Sequence, residues 1–551
     1  MVEAKREYST AGQGLQQAIE YAVALDVPTA IAFDGRTIIE YDLASGAERE
    51  LTAFPTPAEL WARYLAFHGL SNESSEVLLQ PFDTTLRSAD GSIQQPRYYQ
   101  VVAIHRVLRA IFAGQRRALL LMATGSGKTF TALQLVAKIL SYWKIAEPTR
   151  SRRILYLADR DVLVEQPLRE AFRPVFADGA TRIQGRVTMG REIYVATYQS
   201  LVQGEQRVLL DSYPADFFDL VIVDECHRGS ASTDSNWREV LDHFSPAVHL
   251  GLTATPKRDD NVDTFDYFGE PGYEYSLRRG IADGFLAPYN VRRVVLDVDA
   301  DGWQPTPAER DLHGREVPAG IYTTRDFERV LSLRARTRAA ARYLSSLLVS
   351  DPTAMTIVFC VNSDHAHQFR QDMVNLNPEQ IRNDPFWAVR IVSAEGDTGR
   401  RLLERFQDAE SDSPVVASTS RMLTTGVDIE DLKFVVIFRP VGSMVEFKQI
   451  IGRGTRLYPE KRKYSFDIID VVGASAHFAD PGFDGTPSPR PPRDSVPTGR
   501  PSPAAKTRSF LAARSRSRLL CGSSARARNA RAWFMQIINR SWIVCRRRHV
   551  R

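Results

Sequence analysis

One short segment constrains the architecture of this chain more than any other. The apolar run Ala118-Leu119-Leu120-Leu121-Met122 passes through Ala123-Thr124-Gly125-Ser126-Gly127-Lys128-Thr129 into an amphipathic pattern marked by Leu133, Val136 and Leu140. A strand that turns into a helix through glycines presents successive backbone amides to an anion, and the helix N-terminus adds its partial positive charge. In that reading Thr124, Gly125, Ser126 and Gly127 cradle phosphate, Lys128 neutralises the β- and γ-phosphates of a nucleotide, and the Thr129 hydroxyl ligates Mg²⁺. ATP and Mg²⁺ are the implied cofactors. A flexible Gly/Ser linker is the bland alternative, and the strand and helix on either side argue against it.

A second apolar strand, Asp219 to Val223, ends in Asp224-Glu225-Cys226-His227. Ligands of parallel sheets sit at the carboxyl ends of the strands, so Asp224 is expected beside Thr129, holding Mg²⁺, with Glu225 polarising the attacking water. In Arg97-Tyr98-Tyr99-Gln100 the two-sided amide of Gln100 suits adenine, an ordinary polar helix start being the alternative. The Thr-rich turn Gly251 to Pro256 suits a coupling loop, while Asp159 to Gln166 and Ala196 to Ser200 offer polar groups for contacts to phosphates of one strand. Further on, Leu423-Thr424-Thr425-Gly426-Val427-Asp428 follows the strand Pro414 to Ser418, with Gly426 and Asp428 expected to face the nucleotide. Arg453 and Arg456, in Gln449-Ile450-Ile451-Gly452-Arg453-Gly454-Thr455-Arg456, are three apart and are expected on one helical face, reaching a γ-phosphate bound to the other domain. A surface salt-bridge pair is the competing reading.

Periodicity places these segments in domains. A helix near Gly14 to Leu25 precedes two short apolar runs, Thr29 to Phe33 and Thr37 to Tyr41, joined by the hairpin signal Asp34-Gly35-Arg36. From about Arg97 to Tyr289, and again from about Ser332 to Val472, apolar strands alternate with helical patterns, the signature of doubly wound parallel sheets. Between them a polar stretch with Asp-Gly, Thr-Pro and His-Gly breaks reads as a connection.

Charge divides the chain just before Gly485. Sixteen of the 71 Lys and Arg residues lie beyond it, against the single acid Asp494, so the preceding body carries 55 bases and 65 acids. A nucleic-acid track on that body must therefore be a local basic stripe. The Pro/Ser/Arg-rich segment 485–551 cannot offset its ordering entropy and is expected to be disordered. It reads either as a basic nucleic-acid arm or, the preferred reading, as translation out of frame in a GC-rich gene, which an intact frame across Asp484 on resequencing would exclude. Cys226, Cys360, Cys521 and Cys545 lack metal-ligand spacing. The start of the chain has no apolar signal core and no run suits a membrane span, so a cytoplasmic location and no membrane partner are expected.

The motifs together resemble the restriction (R) subunit of type I restriction-modification enzymes, whose motor is of the superfamily 2 DEAD/DEAH type. The resemblance rests on the A-x-x-G-x-G-K-T form of the phosphate loop, Asp224-Glu225-Cys226-His227-Arg228-Gly229-Ser230, Asn236 to Leu241 and Gly251 to Pro256. It extends through Tyr267 to Pro271, Gly284 to Tyr289, Thr356 to Cys360, Leu423 to Asp428 and Glu446 to Arg456. It implies an α/β fold of two RecA-like domains in tandem, at 95–290 and 332–475 with a connector at 291–331. A partial nuclease domain at 1–50 and a linker at 51–94 precede them. It also implies ATP-driven translocation on double-stranded DNA within a complex with modification and specificity subunits. Glu3-Ala4-Lys5 resembles the E-x-K end of the family's nuclease core and Gln17-Ala18-Ile19-Glu20-Tyr21 its Q-x-x-x-Y element. On that resemblance Glu3 ligates Mg²⁺ and Lys5 stabilises charge on the scissile phosphate. The upstream acidic residue and the helical docking region of the family find no counterpart, so impaired cleavage and docking are expected. A repair or remodelling helicase with the same motor, and an inactive product of a damaged gene, are the alternatives.

Overall fold

Runs of five or six buried apolar residues, short for helices and buried on both faces, suit central strands of covered parallel sheets. The computed structural model of the chain builds two such sheets and one smaller mixed sheet. It describes residues 1–4, 11–88, 91–202, 207, 209–227, 234–255, 264–296, 334–408, 410–420, 427, 429–476 and 494–496. These fall into two units, one built on Met1–Gly69 and one on Leu70–Gly499.

In the first unit, β1 (Val2–Ala4) runs parallel to β2 (Thr29–Phe33), which forms antiparallel hairpins with β3 (Ile38–Asp42) and β3 with β4 (Ala47–Leu51). The β2–β3 turn is set by Asp34, whose Oδ1 accepts from the backbone N–H groups of Arg36 and Thr37 at 3.0 and 2.8 Å, and by Gly35 at φ 98°. Helix α1 (Ala11–Leu25) packs on this sheet around Ala18, Ala22 and Ala30. Helix α2 (Pro57–His68) lies inside the stretch expected as a linker. Its boundaries were written in the sequence: Thr56 and Glu59 form a reciprocal capping box, Pro57 opens the first turn and Gly69 closes the last at φ 62°.

The second unit begins with α3 (Asn72–Leu79), also within the expected linker, and α4 (Tyr98–Phe112). Its first sheet contains β5 (Arg117–Met122), β6 (Ile154–Ala158), β7 (Ala180–Arg182), β8 (Ile193–Thr197), β9 (Leu220–Asp224), β10 (Val248–Thr253) and β11 (Tyr273–Tyr275). The order is β11-β5-β10-β9-β6-β8-β7, and every neighbouring pair is parallel. The register aligns Leu252 with Asp224 and Thr253 with Leu121, so the carboxyl ends of β5, β9 and β10 share one edge. Helices α5 (Lys128–Ala146), α6 (Asp161–Pro167), α7 (Asp234–His243) and α8 (Leu277–Ala282) accompany this sheet.

The second large sheet contains β12 (Tyr289–Leu296), β13 (Met355–Cys360), β14 (Ala388–Arg390), β15 (Val416–Thr419), β16 (Leu432–Phe438), β17 (Phe466–Asp470) and β18 (Asp494–Val496). It is again wholly parallel, in the order β14-β15-β13-β16-β17-β12-β18. Strand β12 straddles the expected domain boundary at residue 290: it pairs with β17, Val291 opposite Ile468, so the second sheet starts at Tyr289 and not beyond the connector. Residues 297–331 of that connector, and all of the basic tail except 494–496, lie outside the described residues.

Alternation along β13 sorts the core of this lobe into two faces. Met355, Ile357 and Phe359 join a cluster with Phe447, Ile450 and Ile451 that also takes in Leu277, Leu286 and Ala123 from the first lobe. Val358 and Cys360 point the other way, into a cluster with α9 (Arg334–Ser350) and α10 (Ser363–Leu376). Helices α11 (Gly396–Gln407) and α12 (Met444–Ile451) lie on the first of these faces through Leu403, Phe406 and Phe447. Among the described residues no helix is long and apolar enough to cross a membrane.

Candidate nucleotide site

The loop after β5 needs its glycines for two reasons. Gly125 and Gly127 stand at φ 81° and 83°, in the left-handed region. A Cβ at Gly125 would also lie 2.7 Å from Thr455 Oγ1, and one at Gly127 2.5 Å from Gln100 Nε2. The turn ends at Gly127, which caps the 19-residue α5, so the loop backbone, Lys128 and Thr129 gather at the positive end of a long helix.

Gln100 is buried and serves this loop. Its Oε1 accepts from Arg97 N–H at 2.8 Å, and its Nε2 donates to Ser126 O at 2.9 Å, a carbonyl that also accepts from the Tyr99 hydroxyl at 2.9 Å. The sequence reading aimed this amide at adenine. Each of its ends meets a backbone group, because a buried amide must find partners and the loop carbonyl offers one; a second N–H and a second lone pair remain beyond these bonds.

Asp224 and Glu225 emerge at the end of β9 as expected, within reach of the loop. The Lys128 ammonium lies 3.6 Å from Glu225 Oε1. Asp224 Oδ2 accepts from the buried Tyr156 hydroxyl at 2.6 Å, and that same hydroxyl also interacts with the side chain of Thr129. Burial, then repulsion from Glu225, raises the Asp224 carboxyl to about 6, against the opposing pull of Lys128 and the hydrogen bond from Tyr156. Glu225 has φ 50°, a left-handed conformation that costs a non-glycine residue on the order of 1 kcal/mol and turns its side chain toward Lys128.

From Glu225 a polar chain crosses to the second lobe. Glu225 Oε2 lies 3.4 Å from His227 Nδ1, which is 2.7 Å from Thr253 Oγ1 at the end of β10 and 3.5 Å from Thr255 Oγ1. On the far side of the ring, His227 Nε2 meets Gln449 Nε2 at 2.8 Å. With the amide donating, Nε2 accepts and Nδ1 carries the proton, which it can offer to Thr253 or Glu225. A second crossing lies beside it: the Thr455 hydroxyl donates to Thr124 O at 2.9 Å, and Thr455 O accepts from Ala287 N–H at 2.8 Å. Between the two, Gly452 approaches Thr124 so closely that an added Cβ would stand 2.6 Å from Thr124 Cβ.

The arginines occupy a different setting from the helical face expected for them. Helix α12 ends at Ile451, and Gly452 and Gly454 carry the chain through a turn, Gly454 backing directly onto the Phe466 ring. Arg453 is buried, its Nε donating to Gln449 O at 3.2 Å and its NH1 to Val427 O. Arg456 NH1 lies 3.5 Å from Glu430 Oε1, and its charge reaches the first lobe: burial raises the Tyr99 phenol, opposed by Arg97 and then by Arg456. Among the described residues neither guanidinium bonds to the phosphate loop. Both belong to the turn that presses on it.

Two other expected residues of this site, Gly426 and Asp428, lie outside the described residues, as does Lys5 of the first unit. There Glu3 is half-buried on β1 opposite Ala32, and Gln17 Nε2 donates to the Tyr21 hydroxyl at 2.6 Å on the helix packed against that sheet. Tyr156 was missed altogether, because in Ile154-Leu155-Tyr156-Leu157-Ala158 a tyrosine reads as one more core residue.

Two parallel sheets in tandem, with a phosphate loop on one and a turn from the other closing over it, define a superfamily 2 helicase-type motor. The family model described as "Type III restriction enzyme, res subunit" matches residues 93–258, and that of the helicase conserved C-terminal domain matches residues 339–458. The solved fragment of a protein assigned as an HsdR subunit of a type I restriction enzyme from Vibrio vulnificus YJ016 is 43% identical, covers 90% of this chain and 85% of its own, and superposes with a TM-score of 0.72. The chain belongs to the HsdR family of type I restriction enzyme endonuclease subunits. It is 43% identical over 498 residues to the EcoAI endonuclease subunit of Escherichia coli and 33% identical over 420 residues to the EcoKI subunit of strain K12. Those matches cover 88% and 68% of this chain but 60% and 34% of the relatives' own lengths.

Proposed function

We propose that the second unit hydrolyses ATP with Mg²⁺ to move along double-stranded DNA, within a type I assembly that includes modification and specificity subunits. The observation that carries this reading is the unbroken polar path from Lys128 through Glu225 and His227 to Gln449, which joins the phosphate loop of one lobe to the other lobe. The residues fit a magnesium nucleotide. Two left-handed glycines leave the loop backbone bare of side chains at a helix N-terminus, and Asp224 accepts from a Tyr156 hydroxyl that also feels the Thr129 side chain. When bound, the magnesium nucleotide supplies an activated terminal phosphoryl group.

The protein's own groups then divide the work. Thr124, Gly125, Ser126, Gly127 and Lys128 hold phosphate oxygens, Thr129 and Asp224 hold the metal, and Glu225 orients water and takes its proton. His227, kept in one tautomer by Gln449 and Thr253, fixes the Glu225 carboxylate. Gly426 and Asp428 are assigned to the nucleotide face of the second lobe, and Arg453 and Arg456 to its phosphate-sensing turn. A change at the phosphate end would be felt at Gln449, which is how hydrolysis would be converted into lobe movement.

The deciding experiment measures phosphate release from ATP with and without duplex DNA. The expected result is DNA-stimulated turnover that Lys128→Ala reduces by at least about a hundredfold. A folded wild-type protein without turnover would overturn the motor reading. The first unit is read as nuclease in origin, with Glu3 as metal ligand, Lys5 facing the scissile phosphate and Gln17 and Tyr21 as its helical element. Cleavage by this unit is expected to be impaired: nicking of supercoiled DNA in Mg²⁺ should be weak or absent, and rapid nicking that Glu3→Ala abolishes would overturn that expectation.

A further inference from the structure

A body with 55 bases and 65 acids draws DNA only through a local concentration of positive charge, and one helix supplies it. Helix α9, Arg334–Ser350, holds four arginines and no aspartate or glutamate. Arg336 is buried: its guanidinium lies 4.9 Å above the Phe438 ring and donates to Val471 O at 3.3 Å. The other three, Arg334, Arg338 and Arg342, are exposed and four residues apart, which lines them up along the helix at steps of about 6 Å. Ala339, Ala340, Ala341, Leu344 and Leu348 are packed into the core beneath, so the rotation of the helix is fixed and the stripe cannot turn inward.

Several other exposed arginines of this unit are paired with acids. Arg150 pairs with Glu147 and Asp219, Arg207 with Asp211 and Glu239, and Arg238 with Asp242. Among the described residues no ion pair joins Arg334, Arg338 or Arg342 to an acid. The neighbouring acid is Asp372 of α10, which all three arginines influence but whose carboxyl is raised overall by its burial. Like charges at this spacing repel one another and weaken a helix. The neighbouring exposed positions of α10 are Asp364, His367, Gln371 and Asn375, mostly hydrogen-bonding groups.

We propose that this face of the second lobe is a DNA-backbone contact, in which Arg334, Arg338 and Arg342 bind phosphates of one strand of a duplex lying outside the nucleotide cleft. It is the face opposite the one that packs against the first lobe, so it adds a contact beyond any that the cleft provides. Three evenly stepped guanidiniums suit a repeating anion better than a compact acidic patch on a protein. The inference rests on the DNA reading above and places a second contact for that same partner.

The test titrates the full chain with a labelled duplex over a series of salt concentrations. Three proteins are compared: wild type, Arg334→Gln/Arg338→Gln/Arg342→Gln, and the corresponding triple lysine variant. Removal of the charges is expected to make the slope of log affinity against log salt shallower by about 2 to 3, and to weaken low-salt binding at least about tenfold. The lysine variant should keep the wild-type slope. Turnover of ATP without DNA should be the same in all three, which shows the helix is intact. A glutamine variant with the wild-type slope, from a wild type that does bind, overturns the stripe and leaves the motor reading standing. A wild type that binds no duplex overturns both.

Discussion

The two lobes of the motor solve the same problem, a polar group at the carboxyl edge of a parallel sheet, with different rigidity. In the first lobe Lys128, Thr129, Asp224 and Glu225 issue directly from a helix start and a strand end, and Tyr156 braces them from the neighbouring strand. In the second lobe the groups that meet them, Gln449 to Arg456, sit on a short helix and a glycine-broken turn, and Arg453 is held by backbone carbonyls of its own lobe. The lesson is a division of labour. On the proposed function, the lobe assigned the reacting atoms holds them from several sides, while the lobe assigned to sense them meets the site through a short helix and a glycine-broken turn.

The sharpest way to break that contrast is at Gly452. Its backbone, at φ −55° and ψ −16°, is one that alanine adopts freely, so any effect of Gly452→Ala must come from the Cβ that would meet Thr124. Relief requires the turn or the phosphate loop to retreat by about 1 Å, and displacements of that size cost about a hundredfold in rate. DNA-stimulated turnover should fall by that order while thermal unfolding changes little. Turnover at the wild-type level would mean that the turn does not need to touch the loop.

Gln449→Leu sharpens the same comparison at smaller cost. It leaves His227 Nε2 buried without the amide it faces, a loss of about 1 to 3 kcal/mol in the joined state. Closure should weaken and DNA-stimulated turnover drop by about tenfold. Nucleotide affinity, measured by equilibrium binding to the loop, should be nearly unchanged. If affinity falls and stimulation survives, Gln449 belongs to the holding side of the division.

Much of this arrangement was readable in the residues, and what was not had a physical reason. The glycines and lysine of the phosphate loop announce their backbone requirements locally, as do Asp224-Glu225 after an apolar strand and the Asp34-Gly35 hairpin. The β4 strand Ala47-Glu48-Arg49-Glu50-Leu51 did not, because its largely exposed, charged positions carry no apolar alternation. Helix α2 was missed although Thr56, Pro57 and Glu59 signal its start, since the polar surroundings were read as linker. The pairing of His227 with Gln449 spans 222 residues, and no local pattern records which buried donor will find which acceptor. The turn at Arg453 belongs to the same class: the three-residue spacing suggested a helical face, and the flanking glycines, not the arginines, decided otherwise.

The smallest expected effect concerns how firmly the first lobe is braced from behind. Lys138, buried on the helix that starts at the phosphate loop, donates to Leu78 O at 3.0 Å and to Gln80 O and sits 4.3 Å over the Phe82 ring. One turn earlier Gln134 accepts from Asp83 N–H at 2.8 Å and donates to Asp83 O at 3.0 Å, so residues 78–83 are strapped along α5. Burial lowers the Lys138 ammonium to about 7, below the 10.5 of an exposed lysine. Above pH 7 the unfolded chain therefore binds more protons at this position than the folded one, and stability rises with pH; below it both forms are charged and the desolvation cost is present in full. Relative to Lys138→Met, which does not titrate, the wild type should gain about 1 to 2 kcal/mol in urea unfolding between about pH 7 and pH 8.5. Turnover at a fixed pH should be similar in the two proteins, because Lys138 lies ten residues along the helix from Lys128, about 15 Å away. A pH-independent difference would show that Lys138 stays charged in the folded protein over this range, and a loss of turnover would show that the brace is part of the site.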